Sequence, residues 1–322
     1  TNKDLIDMIY TGHIDKCHVV LCDPSDEIEK FNQYAKDNGT LQLKKYIPID
    51  VDKKEGSDLF STFNGTAMPT LIFLDSSGNE IDRIIGYLPA EKYQTKVAEI
   101  EANINTLGAS IQKYESGDRT AQLLFTMAQK YRDRNETEMA SKYYTELLEL
   151  FPELDEKMAS KAQFELAYDQ FKNGNMDPFN EFINKFSTSS MAQQALSLMA
   201  RFYKGSGNKV SELRLYARML ELYPNDPRTL NGYAWRMSEM GLNLEDALVK
   251  ARYAVILTEQ DKDFQAGILD TEAEVLWKLG RFDDAILTIE KSLRIDPSND
   301  YYMNQKTKFV NAKREARKNV PA

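Results

Sequence analysis

The feature that most constrains this chain is a recurrence of small residues through its C-terminal two-thirds. Ala128, Ala167, Ala200, Ala234 and Ala273 each sit inside a long amphipathic stretch, and the stretches are broken at Asn135, Pro152, Gly174, Gly207, Pro224, Gly241, Gly280 and Pro297. A recurring small residue marks a place where two helices cross closely, and a spacing of about 34 residues is that of a helix–turn–helix repeat. One such unit cannot bury its apolar face alone, so units of this kind must stack on their neighbours. From about Arg119 onward strand signals vanish, which makes this part of the chain all-helical.

The clearest unit is Ala266–Pro297. Ala273 takes the small position of its first helix and Gly280 ends that helix; Ala285, Ile289 and Ser292 lie in the second helix before Pro297. Pro227–Thr258 repeats the pattern with Ala234, Gly241, Ala247, Ala251 and Ala254, and one inserted residue before Leu244. Gln193–Pro224 carries Ala200, Tyr203, Gly207 and Tyr216, but Glu212 replaces the expected Ala. Ala121–Pro152 supplies Ala128, Tyr131, Ala140 and Tyr144, and a degenerate unit follows with Ala167, Gly174, Phe179, Phe182 and Phe186. Over roughly Arg119–Ser298 the chain resembles the tetratricopeptide (TPR) repeat family.

That resemblance implies a stack whose first helices line a concave groove that binds a peptide or a protein partner. By the family's pattern the groove residues are Gln129, Arg132, Arg201, Lys204, Asn231, Trp235, Asp270, Glu274 and Trp277. The two tryptophans also admit a reading as core fillers. The Lys/Asn/Arg set that holds C-terminal carboxylates in chaperone-binding relatives is not recognisable. The last segment, residues 300–322, reads as a basic capping helix with Lys306, Lys308, Lys313, Arg314, Arg317 and Lys318. Those cations suit either a solvated outer face or a contact with an acidic protein or membrane surface.

The first hundred residues alternate helix and strand signals. Helices are expected near residues 5–9, 26–38 and 57–63 and over Pro89–Leu107; strands are expected at His18–Cys22, Leu41–Val51, Leu71–Leu74 and Glu80–Ile85, the last two joined by a turn at residues 76–79. This order predicts a mixed sheet with helices on both faces. The stretch FNGTAMPTLIFLDSSGNEIDRIIGY, Phe63–Tyr87, resembles the second half of thioredoxin-fold proteins. The resemblance gives Pro69 the role of that family's cis-proline, with Met68 before it. The family's dithiol, whose first thiol is activated at a helix N-terminus, has no counterpart here. The corresponding turn reads Leu21-Cys22-Asp23-Pro24-Ser25-Asp26, so one cysteine remains and Ser25 stands at the second position. Asp23, Asp26 and Glu27 would raise the pKa of a thiol there. Cys22 is therefore either a small buried residue at a strand end or a monothiol redox site.

The expected fold is an α/β thioredoxin-like N-terminal domain followed by an all-α, TPR-like helical-hairpin solenoid. The expected boundaries are 1–108 for the first domain, 109–118 for a linker, 119–299 for the repeats and 300–322 for the cap. A net charge of −9 argues against a nucleic-acid partner, whose phosphates are neutralised by Lys and Arg. No stretch has the length and apolarity of a transmembrane helix. Two cysteines and two histidines are the bare four ligands a structural zinc site needs, which nearly excludes one, and no cofactor is implied. The chain begins at Thr1, so it is expected to be a processed product. The joined resemblances lean towards a bacterial periplasm or cell envelope, with the cytoplasm as the other option. The functional expectation is a protein-interaction scaffold with a redox-inactive thioredoxin-like domain. The alternative is a thiol-disulfide oxidoreductase or monothiol chaperone acting through Cys22.

Overall fold

The computed structural model describes residues 18–23, 46–75 and 77–318. The expected helices near 5–9 and 26–38, the first part of the strand expected at 41–51, and Ser25 lie outside the described residues. The chain forms two compact units, residues 1–192 and 193–322, and the boundary falls in the first turn of the helix Ser190–Ser206.

The first unit opens with a four-stranded sheet in the order β2-β1-β3-β4. β1 (His18–Asp23) runs parallel to β2 (Tyr46–Asp50) and antiparallel to β3 (Thr70–Leu74), which pairs antiparallel with β4 (Glu80–Ile85). Every residue of β3 is buried, as expected for an uninterrupted apolar run in an internal strand. Its side chains alternate between two cores. Leu71 and Phe73 pack with Ile84, Tyr93 and Ile100, whereas Ile72 and Leu74 pack with Ile49 and Leu59. α1 (Lys54–Thr62) supplies Leu59 to one face and α2 (Ala90–Glu101) supplies Tyr93 and Ile100 to the other. At Gly56 a Cβ would stand 1.9 Å from the Asp50 carbonyl oxygen, so only glycine lets α1 approach the end of β2 this closely.

The helix expected over Pro89–Leu107 is divided, and the span 109–118 expected as a linker is largely helical. Asn103 and Asn105 adopt positive φ values of 54° and 55°, a conformation that ends α2. Thr106 then caps α3 (Leu107–Glu115) by accepting from the Ala109 N–H. Side-chain capping at Thr106 and the left-handed asparagines are local choices that apolar periodicity does not reveal.

Two helical hairpins complete this unit: α4 (Ala121–Asp133) with α5 (Thr137–Leu150), and α6 (Glu156–Lys172) with α7 (Asp177–Lys185). α4 is tied to the sheet by a buried ionic cluster. Lys130 Nζ donates to Asp82, whose side chain is 1% exposed, and Arg134 Nη2 lies 2.8 Å from Glu80 and 3.3 Å from Asp82. Arg83 donates to the Phe63 carbonyl at 2.7 Å and to the Asp133 carbonyl at 3.0 Å. In the degenerate second hairpin, Phe164 of α6 meets Phe179 and Phe182 of α7 at ring separations of 5.5 and 5.6 Å. Aromatic contacts fill the space that small residues close elsewhere.

The second unit continues with α8 (Ser190–Ser206), α9 (Lys209–Leu222), α10 (Pro227–Met240), α11 (Leu244–Leu257), α12 (Lys262–Lys278), α13 (Phe282–Ile295) and α14 (Asp300–Lys318). All five recurring alanines are buried, with Ala128, Ala234 and Ala273 fully so. Close helix crossing explains this, since a larger side chain there would force the helices apart. The second helices repeat the device with Ala140, Ala247 and Ala285, also fully buried. Each hairpin turn closes on a left-handed residue. Gly280 takes it at φ 76°, the default use of glycine, and in the α4–α5 turn Asn135 does so at φ 57°.

Candidate partner-binding groove

In the second unit the inward-reading residues of α8, α10 and α12 fall into two groups. The first is Arg201, Asn231 and Trp235. Arg201 is exposed, and among the described residues its Nε donates to the Ser197 carbonyl of its own helix, at 3.4 Å. Asn231 and Trp235 are half-buried one turn apart on α10. Asn231 Oδ1 is buried with no hydrogen-bond partner among the described residues. An unmet buried acceptor costs free energy, and a donor from a bound chain would relieve it.

Lys204 belongs to an ionic chain that crosses three helices. Its Nζ donates to both carboxylate oxygens of Glu239, at 3.1 and 2.8 Å. Glu239 also accepts from Arg236 Nη1 at 2.9 Å, and Arg236 in turn grips Glu212 on α9. Burial alone would raise the Glu239 pKa, but hydrogen bonds from Lys204 and Arg236 hold it below the ordinary carboxylate range. Beside Glu212, Tyr216 is pushed up to about 12 by burial and by that carboxylate. The departure from Ala at position 212 was the sequence signal for this network.

The second group is covered. Asp270, Glu274 and Trp277 on α12 lie against α14. Asp270 accepts from Tyr301 Oη at 3.2 Å and from Gln305 Nε2 at 3.1 Å; Glu274 accepts from Gln305 Nε2 at 3.4 Å and from Lys308 Nζ. Burial raises the Asp270 pKa despite those donors. The Trp277 and Phe309 rings meet tilted at 36°, 6.1 Å apart, with Lys308 Nζ 4.5 Å from the Trp277 ring centroid. This last helix therefore takes the place that the first helix of another hairpin would occupy. Tyr301, Gln305, Lys308 and Phe309 carry that contact, and spacing alone did not single them out.

The sheet-borne candidates sit together along the backbone. The register pairs Cys22 with Thr70, the residue that follows Pro69. The Met68–Pro69 peptide is cis; Met68 is 48% exposed, whereas Pro69 is buried. Elsewhere in the first unit, Gln129 and Arg132 line a cleft of about 490 Å³ with Arg83, Lys96, Tyr144 and Lys161 among its other walls. Among the described residues no cluster of three or more His, Cys, Asp or Glu could hold a metal ion. No described helix is long and apolar enough to cross a membrane.

The buried alanines, left-handed turns and paired helices define TPR-like helical-hairpin repeats. Residues 267–299 match the family model described as Tetratricopeptide repeat. Among solved structures the chain is similar to YrrB, described as a TPR protein with an unusual peptide-binding site, with 18% identity over 62% of this chain and 98% of that one, at a TM-score of 0.43. A tetratricopeptide repeat protein from Parabacteroides merdae is 15% identical over 96% of this chain and 98% of its own, at a TM-score of 0.35. The TPR2AB domain of yeast Sti1, solved in complex with pHSP90, is 14% identical over 70% of this chain and 95% of its own, at a TM-score of 0.30. No curated protein matches the chain.

Proposed function

We propose that this protein is an interaction scaffold whose helical repeats hold a peptide or protein partner. What supports this reading is the set of Arg201 on α8 and Asn231 and Trp235 on α10, which offer an exposed guanidinium, a buried acceptor without a partner among the described residues and a half-buried indole. Aromatic and Arg anchors beside orienting amides are what a peptide groove uses to gain affinity. In this reading Lys204 borders the same face, and the repeats are taken to run over 119–299 with residues 300–322 as their cap. Trp235→Ala combined with Arg201→Glu is expected to abolish partner recovery in a pulldown while circular dichroism stays unchanged. Full recovery by that variant rejects the groove.

The N-terminal part, residues 1–108, we read as a thioredoxin-like domain that contributes a surface around Met68 and Pro69 without redox chemistry. A mixed sheet flanked by α1 and α2 supports this, together with Ser25 at the position of a second thiol. A second reading, thiol chemistry at Cys22, is favoured by the register that sets Cys22 beside Thr70. Disulfide reduction by wild type that Cys22→Ser abolishes would establish it; equal rates would end it.

A further inference from the structure

The cleft beside α4 does not belong to the face on α8 and α10, and its chemistry is different. In a chain of net charge −9, five of the six charged residues lining it are basic: Arg83, Lys96, Lys130, Arg132 and Lys161, against Asp133. The amides of Gln122, Gln129 and Asn105 and the hydroxyl of Thr126 complete most of its surface. Its walls come from both parts of the first unit. Arg83 and Lys96 stand on β4 and α2, while the other four charged residues stand on α4 and α6.

Each cation already has a carboxylate partner. Arg132 Nη1 and Nη2 donate to Asp169 at 2.8 and 2.7 Å, Lys96 lies 3.4 Å from Glu99, Lys161 pairs with Glu165, Lys130 with Asp82 and Arg83 with Glu80. These pairs, with Asp133, balance the charge of the five cations, yet an ammonium keeps further N–H donors after one contact. One donor is unmet among the described residues: Tyr144, fully buried, has an Oη with no hydrogen-bond partner, whereas Arg132 Nε is ion-paired with Glu165 Oε2 at 3.0 Å. The cleft wall is rich in N–H and O–H donors, and among the described residues the Tyr144 hydroxyl lacks an acceptor.

We propose that this cleft holds an internal acidic segment of a partner protein, gripped jointly by the sheet side and the hairpin side. The Glu or Asp carboxylates of that segment accept from Tyr144 Oη at the floor and from Lys96 and Lys161 at the rim. A cleft of about 490 Å³ accommodates one or two such side chains with their backbone. Charge-assisted hydrogen bonds of this kind are roughly twice as strong as neutral ones and carry geometric selectivity. The proposal rests on the scaffold reading only in taking a partner segment as the ligand.

The test is fluorescence anisotropy with the full chain and a fluorescein-labelled, C-terminally amidated peptide of alternating Glu and Gly, beside its Gln counterpart. The Glu peptide is expected to bind at least about 10-fold more tightly, and to weaken as salt rises. Tyr144→Phe is expected to weaken binding about 10-fold while the melting temperature of the free protein holds or rises, because an unmet hydroxyl has been removed. Lys96→Gln and Lys161→Gln should each weaken it, which shows that both walls take part. Equal binding of the two peptides, no binding of either, or wild-type affinity in Tyr144→Phe overturns the proposal. So does a lowered melting temperature in Tyr144→Phe, since it would show that the hydroxyl is already satisfied. The Arg201→Glu, Trp235→Ala variant should bind the Glu peptide as wild type does, so the groove and this cleft fail separately.

Discussion

Arg236 of α10 holds Glu212 of α9 with two hydrogen bonds, Nε to Oε1 at 2.6 Å and Nη2 to Oε2 at 3.0 Å. Glu212 is 1% exposed and occupies the second-helix position that Ala140, Ala247 and Ala285 fill in three of the other repeats and Phe179 in the fourth. A repeat that in those three closes by small-residue packing here closes on a buried charge pair. Removing one partner leaves a buried charge without compensation, whereas removing both restores the apolar form of the repeat. Arg236→Ala is expected to lower unfolding free energy by about 3–5 kcal/mol. Adding Glu212→Ala to it should recover most of the loss. A urea double-mutant cycle measures both, and additive losses would contradict the pairing.

Asp82 is the hub between the sheet and α4, with Lys130 and Arg134 both on its carboxylate. Asp82→Ala should cost about 3–5 kcal/mol, because two cations at 8% and 7% side-chain exposure lose a counter-ion. Lys130→Met in the same chain is expected to return part of it. Hydrogen exchange of α4 amides should report the loss locally, and an unchanged α4 would show that the cluster does not bear on this joint.

Asp270 yields a pH prediction. Its folded pKa lies above the ordinary value of 3.8, so between that value and the folded pKa the folded state binds more protons than the unfolded state. Its contribution to stability therefore falls as pH rises through that window. Asp270→Asn removes the titration and keeps an acceptor for Tyr301 and Gln305. Relative to wild type, the variant should gain stability between pH 4 and pH 7, read from urea midpoints at each pH. A constant difference would rule out Asp270 as the source.

Phe309 is fully buried and is the main apolar anchor of α14, which otherwise attaches largely through polar contacts to Asp270 and Glu274. Phe309→Ala should destabilise the second unit by about 3–5 kcal/mol through transfer and cavity terms. In a Trp235→Phe background the emission of Trp277 should shift red as its cover loosens. An unshifted spectrum would mean that α14 is held without this ring.

The repeat was legible in the sequence because its cause is local and periodic. A small residue at each helix crossing, a left-handed turn residue and a terminating proline recur in one order, and Ala128, Ala234 and Ala273 are buried because that order permits only one way to pack. β3 was legible for a similar reason, as an apolar run between turn residues. The division of the helix after α2 was not, since Asn103 and Asn105 leave the helix by a local conformation that neither residue announces in the pattern.

Which charges would be buried, and against whom, belonged to the tertiary structure. Glu212 announced itself as a departure from Ala, but its partner Arg236 lies on another helix and nothing in the spacing selects it. Asp270 and Glu274 read as groove residues by position, and it is the packing of α14 that assigns them to Tyr301, Gln305 and Lys308. The unmet hydroxyl of Tyr144 is likewise invisible in a string of residues, because a missing partner is a property of the surroundings. Periodicity determines which faces must meet. Only the folded chain decides which polar groups those meetings satisfy and which they leave for a ligand.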